Sequence, residues 1–120
     1  MAKLDIWIEK WKNWTVVHLH GDLMLSTLGQ FRETLNALLR RKNPRITLDL
    51  AELANVDSSA IGLITRFTER TVERGGEFGL FNARREAAEV LAMVQFDCGV
   101  RLFSTRHLFE RSVADREASE

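Results

Sequence analysis

The sequence predicts a single small α/β domain: a mixed β-sheet that opens with an antiparallel hairpin and is covered by about four helices. Three observations carry this expectation. Apolar and polar residues alternate at period two from Leu4 to His20, the apolar period becomes helical at Thr27, and beyond Arg45 short apolar runs alternate with helical stretches. Strands joined through helices need crossover connections, so the later strands should run parallel and near the middle of the sheet. With 120 residues, 45% of them hydrophobic, 28% charged and only one proline, the chain has the size and composition of one globular domain. That domain is placed at residues 1–115, with 116–120 as a frayed tail.

In chain order, "LDIWIEKW" sets Leu4, Ile6 and Ile8 on one face and Asp5, Trp7 and Glu9 on the other. "TVVHLHG" repeats the pattern after a polar turn at Lys12 and Asn13, giving a hairpin. Leu28, Phe31, Leu35, Leu38 and Leu39 then recur at helical spacing, Thr27 with Gln30 fits a capping box, and Asn43 with Pro44 should stop the helix. "RITLDLAEL" is a short strand. "SSAIGLITRFTERTVERGG" is a helix with Ile61, Ile64 or Leu63, Phe67 and Thr71 inward and Gly75 as a left-handed C-cap. "EFGLFN" is a strand, "RREAAEVLAMVQF" a helix with Ala87, Val90, Leu91 and Val94 inward, "VRLFST" a strand and "RHLFERSVAD" a closing helix.

Most chemistry is excluded by what these elements carry. The 17 basic and 17 acidic residues cancel, which removes the long-range attraction of a nucleic-acid binder, and "RRKNPR" at 40–45 reads as a helix C-terminus entering a loop. Cys98 is the single cysteine, so neither a disulfide framework nor a multi-cysteine zinc site is expected, and it reads as a cytosolic thiol. The N-terminal stretch lacks the apolar core of a signal peptide, and no later stretch reaches the roughly 18 apolar residues of a membrane helix. The expected location is the cytoplasm, with no membrane partner.

His18, His20 and His107 make no convincing metal site, because no acidic or thiol partner stands beside them in sequence; solvent-facing strand histidines are expected. "ERGGEFG" follows a helix instead of opening one and is a turn, and Asp49 with Glu52 should be solvated at a strand end. No nucleophile and base pair can be named, so neither catalytic residues nor a cofactor is expected and an enzyme is not predicted. The tryptophans Trp7, Trp11 and Trp14 all fall in the hairpin, where they are either ordinary strand formers or a surface for a partner or a second copy of the chain, a homodimer.

The stretch "NVDSSAIG" at 55–62 stands out. An apolar strand delivers the chain to Asp57, and a helix begins near Ser59, so Ser58 lies at a helix N-terminus, where unpaired N–H groups and the positive end of the dipole meet. Asp-Ser-Ser is also a natural N-cap, and capping by itself accounts for these residue types. The same place suits a phosphoryl group, which brings a charge of about −1.5 to −2.

The run "LDLAELANVDSSAIGLITR", then "RGGEFGLFNARREAAEVLAMVQF", then "RLFSTRHLFERSV" resembles the STAS domain, in its stand-alone bacterial form as an anti-sigma factor antagonist. The likeness runs from "GDLMLSTLGQF" onward, and its most specific part is the D-S-S-x-hydrophobic-G motif. The resemblance implies a phosphorylated serine directly after the motif aspartate, here Ser58. It implies two partners: an anti-sigma factor serine kinase with a histidine-kinase-like ATPase fold, and a metal-dependent serine phosphatase. The unphosphorylated antagonist would hold the kinase and free the sigma factor, and phosphorylation would release it. Asp57, Ser58, Ser59, Ile61 and Gly62, with Asp22 and Met24, form the implied binding face.

Two residues depart from the family pattern: Ala60 stands at a usual glycine, and Met24 at a usual acidic residue in "GDLM". Alternative expectations within the fold are a non-phosphorylated scaffold and a ligand-binding STAS module in another bacterial signalling pathway.

Overall fold

Lys12 and Asn13 turn the chain back on itself, with Lys12 in the left-handed region (φ 54°), and the strands on either side pair in register from Leu4 opposite Gly21 to Trp11 opposite Trp14. This hairpin of β1 (Leu4–Trp11) and β2 (Trp14–Leu23) opens a computed structural model that describes the backbone of residues 1–119 and the side chains of 1–93 and 99–119. There follow α1 (Leu28–Leu39), β3 (Arg45–Val56), α2 (Ser58–Glu73), β4 (Glu77–Phe81), α3 (Arg85–Cys98), β5 (Arg101–Phe103) and α4 (Arg106–Ser119). The sheet order is β1-β2-β3-β4-β5, antiparallel at the hairpin and parallel elsewhere, as the crossovers require. Three boundaries differ from expectation. β3 has 12 residues instead of a short run, α1 ends at Leu39 before Asn43 is reached, and β5 is a three-residue edge strand, not a central one.

The two faces of the sheet bury unequal cores. On one, Phe31, Leu35 and Leu38 of α1, Leu63, Ile64 and Phe67 of α2 and Leu91 of α3 pack on Val17, Leu19, Leu48 and Leu80. On the other, α4 alone supplies Phe109 and Val113 to Trp14, Val16 and Phe81. Phe109 lies 4.9 Å from Trp14 edge-on and 5.6 Å from Trp11. Two of the hairpin tryptophans are therefore covered by the chain's own last helix, whereas Trp7 is 47% exposed. Val90, expected inward, is 44% exposed, and so is Ile8 on the edge strand β1. The expected contact of Val94 lies outside the described side chains, as does the thiol of Cys98.

Helix α2 ends in a Schellman motif: Gly76 N–H donates to the Thr71 carbonyl and Gly75 N–H to that of Val72, with Gly75 at φ 77°. The closing helix continues to Ser119, past the point where fraying was expected. Arg116 pairs with Glu77 and Lys12 with Glu117, which tie that end to the sheet and the hairpin.

Three side-chain expectations are overturned. Thr27 does not cap α1; its hydroxyl accepts from Met24 N–H and reaches the Asp22 carbonyl, stabilising a 3₁₀ turn at Leu25–Thr27. His18 is not solvent-facing: its ring nitrogens lie 2.8 Å from Asp49 Oδ2 and from Glu9 Oε1, and Trp7 stacks on it. Asp49 is correspondingly no solvated strand end, since it also accepts from Ala51 N–H and Asn82. Period-two patterning gives the face of each residue but not the neighbour across the ladder, and the partners of His18 come from β1 and β3.

Candidate functional site

Unequal strand lengths make the site. β4 pairs only with Arg45–Asp49 of β3, whereas β3 continues to Val56 beside β2. The second half of β3 therefore has no neighbour on its β4 side. Leu50, Leu53 and Val56 floor the resulting space, Ile61 of α2 and Ala87 and Val90 of α3 wall it, and a cavity of about 440 Å³ results. Asn55, Asp57, Ser58, Arg84 and Glu86 supply its polar groups. Crevices beyond the carboxyl ends of parallel strands are where α/β sheets present their binding residues.

The start of α2 forms the next part of the site. Asp57, extended at φ −104°, is the N-cap: its Oδ1 accepts from Ala60 N–H at 3.0 Å and from the Ser59 hydroxyl at 2.6 Å. Its Oδ2 accepts from Leu25 N–H at 2.9 Å, and Asp57 N–H donates to the Leu23 carbonyl, so the turn after β2 is bound to the turn after β3. The Ser59 hydroxyl first, then the Ala60 and Leu25 N–H groups, hold the Asp57 carboxyl below the usual range and keep it charged. Ser58 is the first residue of α2 and exposed, and its hydroxyl has no hydrogen-bond partner among the described residues. Capping thus accounts for Asp57 and Ser59 and leaves Ser58 unexplained.

The residues singled out in the sequence divide into three groups. Asp57, Ser58 and Ile61 line the cavity. Asp22 and Met24 do not line it; Asp22 accepts from Asn55 Nδ2 at 2.6 Å, and Met24 precedes the 3₁₀ turn. Ser59 is spent on the cap, and Gly62 faces outward with nothing within 4 Å of where a Cβ would stand. Sequence reasoning missed Leu25, 74% exposed beside Asp57, together with Asn55 and Arg84. An isolated leucine in a turn is a signal that could have been noticed; Arg84 offered none, because its place depends on where β4 ends. Among the described residues no helix is long and apolar enough to cross a membrane.

The family model of the STAS domain matches residues 6–108. No curated protein sequence matches the chain. Among solved structures, an anti-sigma factor antagonist from Mycobacterium paratuberculosis is similar with a TM-score of 0.77 at 16% identity, covering 93% of this chain and 95% of that one. An anti-sigma factor antagonist (STAS) domain protein from Planctomyces limnophilus gives 0.70 at 25% identity, over 88% and 94%. The Bacillus cell fate determinant SpoIIAA in its phosphorylated form gives 0.68 at 17% identity, over 90% and 99%.

Proposed function

The chain belongs to the STAS domain family, and from that premise we propose that it is a phospho-switched anti-sigma factor antagonist, a binding module and not an enzyme. In the unphosphorylated state it binds an anti-sigma serine kinase; phosphorylation of Ser58 releases it, and a serine phosphatase resets it. The observation that carries this reading is Ser58 itself, exposed on the rim of an apolar cavity with an unengaged hydroxyl, while its neighbours perform the cap. The relatives described as anti-sigma factor antagonists, one of them in a phosphorylated form, support it.

Docking would cover Ser58 together with Ile61, Gly62 and Leu25 and seat a partner's apolar side chain in the cavity. A phosphoryl group there stands beside the charged Asp57 carboxylate, so desolvating that surface becomes costly. A loss of several kcal/mol is of the order of a thousandfold in affinity.

The test is intact mass after incubation with ATP and each histidine-kinase-fold serine kinase of the same genome, with tandem mass spectrometry to place the phosphate. One phosphate on Ser58, with Ser58→Asp weakening kinase binding and Ser58→Ala leaving it constitutive, is the expected result. Equal kinase affinity for both variants would sink the proposal. Kinase binding without phosphate would favour the scaffold reading, and nucleotide binding without any protein partner the ligand-binding one.

A further inference from the structure

We infer that Arg84 is the internal receptor for a phosphoryl group on Ser58, so that phosphorylation closes the mouth of the apolar cavity as well as charging the face around it. This rests on reading Ser58 as the phosphorylation site. Ser58 and Arg84 reach the same 440 Å³ cavity from different elements, the first residue of α2 and the turn before α3. Among the described residues that line it, Arg84 is the only cation, against two carboxylates, Asp57 and Glu86. Its guanidinium has no hydrogen-bond or ion-pair partner among the described residues, whereas the adjacent Arg85 is taken by Glu89 at 3.2 Å.

The donors that a phosphate at a helix start would ordinarily use are in part committed. Ala60 N–H is held by the Asp57 carboxylate and Ile61 N–H by the Asp57 carbonyl. A group of charge about −1.5 to −2 placed beside Asp57 and Glu86 is therefore repelled from two sides. Among the described residues lining the same volume the one compensating charge is Arg84, whose planar guanidinium matches phosphate oxygens in a bidentate pair. A phosphoserine–arginine bridge from α2 to the start of α3 would cross the opening above Leu50, Leu53 and Val56. The apolar seat would then be shut by an attractive contact, and release of the partner would not depend on repulsion alone.

The experiment installs phosphoserine at position 58 during translation, so that no kinase is needed, and follows the ³¹P resonance across the phosphate's second ionisation, ordinarily at about pH 6. The intact chain is expected to titrate lower, by on the order of one pH unit, as an opposite charge within contact distance produces. Arg84→Gln should return the midpoint toward the ordinary value and Arg84→Lys should leave it between the two. Glu86→Gln provides a second reading in the opposite direction, since removing a competing carboxylate should deepen the shift. Superimposable titrations of the intact chain, Arg84→Gln and Glu86→Gln overturn the inference and leave the proposed function standing. A Ser58 that no kinase modifies ends the switch reading without altering this titration.

Discussion

Asp57 serves two elements at once, capping α2 and holding the backbone of Leu25, and its removal should be felt in both. Asp57→Ala is expected to lower Tm by thermal unfolding and to weaken amide-exchange protection at Leu25 and Ala60 together; loss at Ala60 alone would mean that the two turns are not coupled. Because the Asp57 carboxyl is held low, its stabilising bonds are complete above the ordinary aspartate range and fade as the pH falls through the folded-state value.

Glu9 behaves alike. Arg106 grips it at 2.8 and 2.5 Å and, with the hydrogen bond to His18, lowers it from 4.5 to about 2. Its contribution is therefore full above pH 4.5 and lost toward pH 2. Glu9→Gln should depress Tm at neutral pH and much less at pH 2, and a difference that persists undiminished in acid would contradict this. Thr47 shows the converse. It is fully buried and its hydroxyl has no partner among the described residues, so Thr47→Val should raise stability by about 1 kcal/mol in chemical denaturation.

Helix α2 binds its core through Leu63, Ile64, Phe67 and Thr71 and shows Gly62 to the outside. The inward stripe was legible in "SSAIGLITRFTERTVERGG" because helical spacing by itself selects it, and Ile61 both packs against that core and lines the cavity. Gly62 contributes only backbone entropy to the unfolded state. Gly62→Ala should thus stabilise the fold by about 0.5–1 kcal/mol, and a lowered Tm would show that the glycine is needed for the helix path. In β3 the apolar run predicted a strand but not its length; residues 50–56 remain extended because β2 still pairs with them. Thr27 and Gln30 had the sequence form of a capping box, yet the turn before α1 competed for the hydroxyl and won.

Helix α4 is the sole cover of one face of the sheet, and Phe109 touches Trp11, Trp14, Phe81 and Phe103. A chain ending at Thr105 should bare that aromatic cluster, lose its near-ultraviolet circular dichroism and bind a hydrophobic dye; native-like spectra would show that the three-helix face suffices. Phe109→Ala in the full chain should cost about 3–5 kcal/mol. The sequence alone determined the fold class, the hairpin, the parallel crossovers and the place of Ser58, because periodicity and turn residues act over a few neighbours. Only the tertiary structure decided that Asp57 and Ser59 form the cap and leave Ser58 unengaged, that His18 lies between two carboxylates, and that Arg84 shares a cavity with Ser58. Each of these depends on which strand ends beside which, and contacts between residues distant in the chain are set by packing of the whole sheet against its helices, not by any local pattern.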